Sequence, residues 1–421
     1  MFRVQDADIT ASEPAASTAW DNERAMWHRL QLNLDFIASP KTHAHLVTRA
    51  LDSVNVTGAA ADSTASWTIK QAWLETDLYG VGAKMGHMPI SMHDDILVNH
   101  DTNGFGAILL SKSFGDTTVL VGDVRVAESN TRGASANAGA GMGADDDDVD
   151  LYVVSVLGKA GMANYQVTGA LMNAAADSTV ANNLTVNASD SARDWWLAAT
   201  VGANVSDIDI TGTLIYENGW KNAANNSQAH DSDFLAALRL KGKTGFGGWN
   251  GYAFYAGEDF NNIVGTNAVW SKTWDQSGPG GRDLMNTLFS TCASAASYTA
   301  TSGSGGCTFL PANGNVSNTE NLWGVGAGLT VKTGGWTINP MLDYASVTDR
   351  SPANSATNTA LFKSAWGGTL ALSTKLDEGT TLGITGSYVD PSSDNTLLAA
   401  QTGAHKEDSI HAVMVDVKMA F

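Results

Sequence analysis

HAVMVDVKMAF, residues 411–421, alternates with a period of two: Val413, Val415, Val417, Met419 and Phe421 share one face, Asp416 and Lys418 the other. That spacing belongs to a strand with one apolar and one polar face. The same pattern recurs along the chain. Leu30, Leu32, Leu34 and Phe36 oppose Arg29, Gln31, Asn33 and Asp35. Similar apolar faces are Trp195/Leu197/Ala199/Val201, Ile208/Ile210/Leu214/Tyr216, Phe234/Ala236/Leu238/Leu240 and Trp323/Val325/Ala327/Leu329. A soluble sandwich alternates in the same way, so periodicity alone does not choose the architecture.

The connections choose it. Short ones fall near Pro40-Lys41, Tyr79-Gly80, Gly115-Asp116, Ala160-Gly161, Ser206-Asp207, Thr244 to Gly247, Gly334-Gly335 and Glu378-Gly379. Between them lie long polar links: 11–23, 55–65, 90–103, 128–147, 173–192, 218–231, 258–320, 348–361 and 390–407. Short turns at one end and long loops at the other mark a barrel that spans an outer membrane. Each strand has about 10–13 residues at about 3.3 Å per residue; tilted near 45°, it rises about 25 Å, the height of the apolar band. Trp27, Trp67, Trp195, Trp323 and Trp366 begin strands that leave long loops, whereas Trp249 and Trp336 begin strands that leave short turns. Two levels of indole suit two membrane interfaces.

The expected fold is therefore all-β: one transmembrane, antiparallel, up-and-down barrel over residues 1–421. Scanning from residue 24 finds 17 strands. Closure with both termini on one side needs an even number, so residues 2–10 are expected to pair with the strand ending at Phe421. That makes about 18 strands, with 16 as the alternative. Pro14, Pro40, Pro89, Pro279, Pro311, Pro352 and Pro391 fall in connections or at strand ends. Pro340 is mid-strand, which predicts a bulge.

Composition excludes other classes. No run approaches the roughly 18 apolar residues of a spanning helix. A net charge of −19 without clustered cations excludes nucleic-acid binding. Cys292 and Cys307 read as a disulfide in an oxidising compartment, with two unrelated thiols as the alternative. MFRVQDADIT has no apolar core of a signal peptide, so an exported protein would appear here as its mature chain. No glycine-rich phosphate loop and no nucleophile–base constellation is visible, so no enzyme is expected.

The chain resembles the Gram-negative outer-membrane porin superfamily. Its short-turn hairpins, aromatic strand ends and terminal Phe421 carry the likeness over the whole length, and the segment SWTIKQAWLETDLYGVGAKMGHMPI resembles a porin strand–turn–strand. The resemblance implies that Phe421, with alternate apolar residues before it, is the barrel-assembly signal. It also implies an outer-membrane location among lipid and lipopolysaccharide, a homotrimer, and passage of small hydrophilic solutes or ions. The Pro-Glu-Phe-Gly-Gly constriction motif of enteric porins is absent, so no eyelet residue carries over.

A barrel this wide leaves an aqueous lumen. Arg29, Arg49, Lys70, Lys84 and Arg125 are expected to form a basic strip on its wall, interspersed with Asp35, Glu75, Asp77 and Asp123; Asp209, Glu217, Arg239 and Asp343 lie on later polar faces. The strip would face Asp94, Asp95 and Asp101 on a folded-in loop 90–103, anchored by Ile96-Leu97-Val98. Such a transverse field would orient polar solutes; charges merely solvated along a wet wall are the alternative. Loop 258–320 reads as an outer lid. Asp145, Asp146, Asp147, Asp148 and Asp150 pack enough oxygens for a Ca²⁺ site, against a solvated or lipid-bridging loop. His87, His93 and His100 have no recognised metal-ligand spacing. A substrate-specific channel and a structural or adhesive barrel with a closed pore are the competing functions.

Overall fold

The computed structural model describes residues 2–8, 23–28, 30–50, 67–94, 96–127, 149–174, 192–218, 232–257, 260, 322–347, 362–393 and 410–419. Among them the chain forms one all-antiparallel sheet of nineteen segments. In order these are β1 (Phe2–Asp8), β2 (Glu23–His28), β3 (Leu30–Ser39), β4 (Thr42–Ala50), β5 (Thr68–Leu78) and β6 (Val81–Met92). Then come β7 (Val98–Phe114), β8 (Thr117–Ala127), β9 (Val149–Ala160), β10 (Ala163–Ala174), β11 (Ala192–Val205), β12 (Ile208–Glu217) and β13 (Asp233–Thr244). The last are β14 (Gly247–Ala256), β15 (Leu322–Thr333), β16 (Trp336–Val347), β17 (Phe362–Lys375), β18 (Thr380–Ser393) and β19 (Ile410–Met419).

Each segment pairs with its sequence neighbour, and β1 closes the ring. Its register runs from Phe2 opposite Val417 to Asp8 opposite His411 on β19, and from Phe2 opposite His28 on β2. Segments β2 and β3 are consecutive, β2 pairing with β1 and β3 with β4. Counted as one strand they leave eighteen places in the ring. Of the strand expected at residues 2–10, residues 2–8 are present and pair where parity requires; 9 and 10 lie outside the described residues.

Short turns sit where expected, and several take the left-handed conformation that two-residue hairpins favour. Tyr79-Gly80 (φ 56° and 81°), Ser206-Asp207 (51° and 68°) and Gly334-Gly335 (56° and 83°) are of this kind. The other expected long links fall wholly or almost wholly outside the described residues; 90–103 does not. Residues 90–92 and 98–103 are strand, continuing β6 and β7, and only the tip between them turns.

The outer wall is apolar and exposed: Leu32, Leu214, Leu238, Val325 and Leu342 all point away from the barrel. The inner face carries buried polar groups such as Ser155, Thr168, Thr213 and Thr369. This inverts a soluble protein, because the solvent outside is lipid and that inside is water.

Pro340 makes no bulge. Gly328 faces Met341 and Val331 faces Ile338 in one unbroken register, and only the rungs at Asn339 and Pro340 are missing. The proline omits a ladder bond without needing an extra residue opposite it. Pro89, expected at a strand end, instead lies within β6 at a register shift between Met88 and Ile90. There a proline removes a ladder donor just where the strand must leave the wall.

Candidate functional site

Above Pro89 the β6–β7 hairpin bends into the barrel. Opposite the proline, Gly104 has φ +79°, and a Cβ there would lie 2.8 Å from the Met88 carbonyl oxygen. Only glycine permits both the positive φ and that close approach. A bulge on one strand and a bare left-handed residue on its partner make the bend together.

The tip is closed by Ile96 N–H donating to the His93 carbonyl (3.2 Å) and Leu97 N–H to that of Met92 (3.3 Å). His93 (φ 53°) and Asp94 (φ 63°) make the reversal. Ile96, Leu97 and Val98 are 0–1% exposed. They join one apolar cluster with Leu151 and Val153 of β9, Trp196 of β11, Ile215 of β12 and Leu235 of β13. All these wall residues point inward, since their neighbours Tyr152, Val154, Trp195, Leu214 and Phe234 are exposed on the outer face.

Polar groups fasten the tip as well. His93 N–H donates to Gln166 Oε1 (3.3 Å), and His93 Nδ1 lies 2.9 Å from Thr200 Oγ1. Thr200 meets Thr213 Oγ1 at 2.8 Å, and Gln166 Nε2 donates to Ser155 Oγ at 3.3 Å. A hydroxyl–amide row across β9 to β12 thereby receives the turn. Asp94 pairs with Arg239 on β13. His93 is fully buried, and among the described residues its Nε2 has no hydrogen-bond partner. Burial lowers its imidazole from 6.5 to about 4, so it docks neutral.

The opposite wall stays open. Both faces of β3 are exposed throughout Leu30–Ile37. Its outward leucines meet the membrane side, and inward Gln31, Asn33 and Asp35 are exposed towards the lumen. Beside them a ladder of side chains runs over β3 to β6. Asp35 Oδ1 lies 2.5 Å from His45 Nδ1, and His45 stacks on Trp73 (centroids 3.9 Å apart). The Lys84 ammonium sits 5.0 Å from the Trp73 ring and 3.0 Å from Glu75 Oε2. Arg49, on the same inner face, is 7% exposed and donates from Nε to Gln31 Oε1 at 2.6 Å.

The expected strip is therefore divided. Arg49 and Lys84 line the lumen, and Lys70 sits at the β4–β5 register shift between inward Gln71 and outward Ile69. Arg125 is not a lumen residue, nor is Asp123. Their cross-strand partners Asp150, Tyr152 and Ile108 lie on the outer face, and Arg125 Nε is 3.6 Å from Asp150 Oδ1. The inner face of β8 carries Val124 instead, fully buried under the hairpin. Asp94 faces Arg239 rather than the basic strip.

Arg29, Asp95, Asp145, Asp146, Asp147, Asp148, Cys292, Cys307 and Phe421 lie outside the described residues, as does the side chain of Asp101. Residue alternation alone does not mark the receiving wall: Thr200, Gln166 and the apolar inner face of β9. A signal existed, because LYVVSVL (151–157) is apolar on both faces except at Ser155. A strand covered on both faces reads this way.

The chain has the fold of Gram-negative outer-membrane porins and channels. It matches the crystal structure of Pseudomonas aeruginosa OccK2 (OpdF) with a TM-score of 0.54 and 9% identity, over 99% of this chain and 96% of that one. P. aeruginosa OccK5 (OpdH) matches with a TM-score of 0.53 and 9% identity, over 100% and 97%. No protein-family model matches the sequence, and no curated protein matches it.

Proposed function

We propose that this chain is an outer-membrane channel through which ions and small hydrophilic solutes diffuse, and that the aperture is off-centre. The inserted hairpin fills the side of the lumen next to β9–β13, which leaves a water path along β3–β6. The observation that carries this reading is the exposure of both faces of β3. A barrel packed shut would bury one of them.

Planar-bilayer recording of the full chain tests the proposal. Ohmic steps are expected, and they should grow when residues 91–99 are replaced by a short Gly-Ser turn. Silent membranes after verified insertion would overturn it and favour a structural barrel. A second reading, a substrate-selective channel, draws on the His45–Trp73–Lys84 ladder, which offers an aromatic edge flanked by both charge signs. Block of the current by micromolar solute would favour that version over general diffusion.

A further inference from the structure

The short-turn mouth of the lumen carries a charge opposite to that of the chain. Strands β9, β11, β13, β15, β17 and β19 run down to it. The last inward residue of all but β11 is lysine: Lys159, Lys243, Lys332, Lys375 and Lys418. On β11 it is Asn204. Each lysine is exposed and shares its strand face with inward groups higher up, Ser155 above Lys159, Ala237 above Lys243, Thr369 above Lys375 and Asp416 above Lys418. Across the lumen, β5 and β7 end inward in Asp77 and Ser113 instead. In a chain of net charge −19, cations have gathered on one arc of one mouth.

What lies beside these lysines divides them. Asp116 and Asp207, in the short turns, adjoin Lys159 and Lys243. On β15 to β19 the neighbours are hydroxyls. Lys332 faces Thr337, which faces Ser373 on its other side. Thr381 lies on one rung between Lys375 and Lys418. Those two lysines are therefore two strand spacings apart, about 10 Å at the backbone, and their flexible four-carbon stems can bring both ammonium groups over the threonine. The nearest carboxylates are placed otherwise. Asp416 is buried two residues deeper than Lys418, and Asp377 of the turn accepts the Gly379 N–H at 2.9 Å.

Like charges along one wall of a cleft focus the field and concentrate counter-ions. We infer that the short-turn mouth holds a binding site for small dissolved oxyanions of the phosphate class, built from Lys332, Lys375 and Lys418 with the Thr381 hydroxyl between the last two. The ammonium groups supply charge and movable donors, and the hydroxyl adds a further donor to the anion's oxygens. All four side chains are on the inner face, which selects a dissolved anion over a lipid headgroup, since a headgroup meets the outer face. The site is separate from the hairpin and from the His45–Trp73–Lys84 ladder on the facing wall. Arrival of the anion through the lumen rests on the channel reading above; binding does not.

Inorganic phosphate titrated at low salt into the full chain in phosphatidylethanolamine nanodiscs, followed by phosphorus NMR, tests this, because dissolved and lipid phosphate give separate lines. Saturable broadening of the dissolved line is expected. The double variant K375Q/K418Q removes two charge-assisted contacts and should weaken binding by about tenfold or more. Lys112 lies near the same end of the barrel but on the outer face, beside the Phe114 ring, so K112Q should bind as the wild type does. No saturable binding by the wild type, unchanged affinity in K375Q/K418Q, an equal loss in K112Q, or a response of the lipid line alone would each overturn the site. Silent bilayers alongside normal phosphate binding would count against the channel and leave the site standing.

Discussion

Lowering the pH should loosen the inserted hairpin through His93. In the docked state its imidazole is buried among Thr200, Gln166 and the apolar tip, and its value falls from 6.5 to about 4. A group with a depressed basic value binds a proton more readily when undocked. Docking is therefore unaffected above pH 6.5, weakens as the pH falls from 6.5 towards 4, and loses nothing further below that. At about 1.4 kcal/mol per unit the full loss is about 3.5 kcal/mol, or a roughly three-hundredfold rise in the undocked population once the docked imidazole is itself protonated. Three fully buried side chains at the tip contribute about 1.5–3 kcal/mol each, so the hairpin stays mostly docked and opens more often rather than falling out. Single-channel recording would show this as transient large openings whose frequency climbs about a hundredfold between pH 6.5 and pH 4. His93→Asn preserves a hydrogen bond to Thr200 without titrating and should flatten that rise. Groups other than residue 93 are the same in both proteins and cancel in the comparison. Identical pH profiles for the wild type and H93N, or a rise already complete above pH 7, would refute the reasoning.

Gly104→Val should straighten the hairpin, since the side chain would collide with the Met88 carbonyl at a positive φ. A cost of about 1–3 kcal/mol against docking is expected, with a larger mean conductance and faster hydrogen exchange over 88–105. Arg49→Ala should shift reversal potentials in a salt gradient towards cation preference, whereas Arg125→Ala should leave them unchanged. The first side chain lines the lumen and the second the outer wall.

The fold was legible in the chain because a barrel strand reports both its solvents in every second residue. HAVMVDVKMAF shows lipid on one side and water on the other without any knowledge of its neighbours. Turn chemistry at Tyr79-Gly80 and Ser206-Asp207 and the parity of strand ends then required residues 2–10 to close the ring. The Pro340 expectation failed because a missing donor interrupts two rungs without displacing the register. The Ile96-Leu97-Val98 anchor marked the segment that enters the barrel, since an apolar triplet in a polar link needs cover.

Where that cover lies could be decided only in three dimensions. Alternation assumes that every inner face meets water, and the hairpin breaks the assumption for β8 to β13. Val124, Leu151 and Trp196 point inward because protein reaches them there, and Asp123 and Arg125 are thereby turned to the outside. Alternation and turn spacing were enough for a lipid-spanning barrel with its closing strand. Which wall the hairpin grips, and so where the water path runs, rests on contacts between residues 73, 107 and 145 positions apart, which no local pattern records.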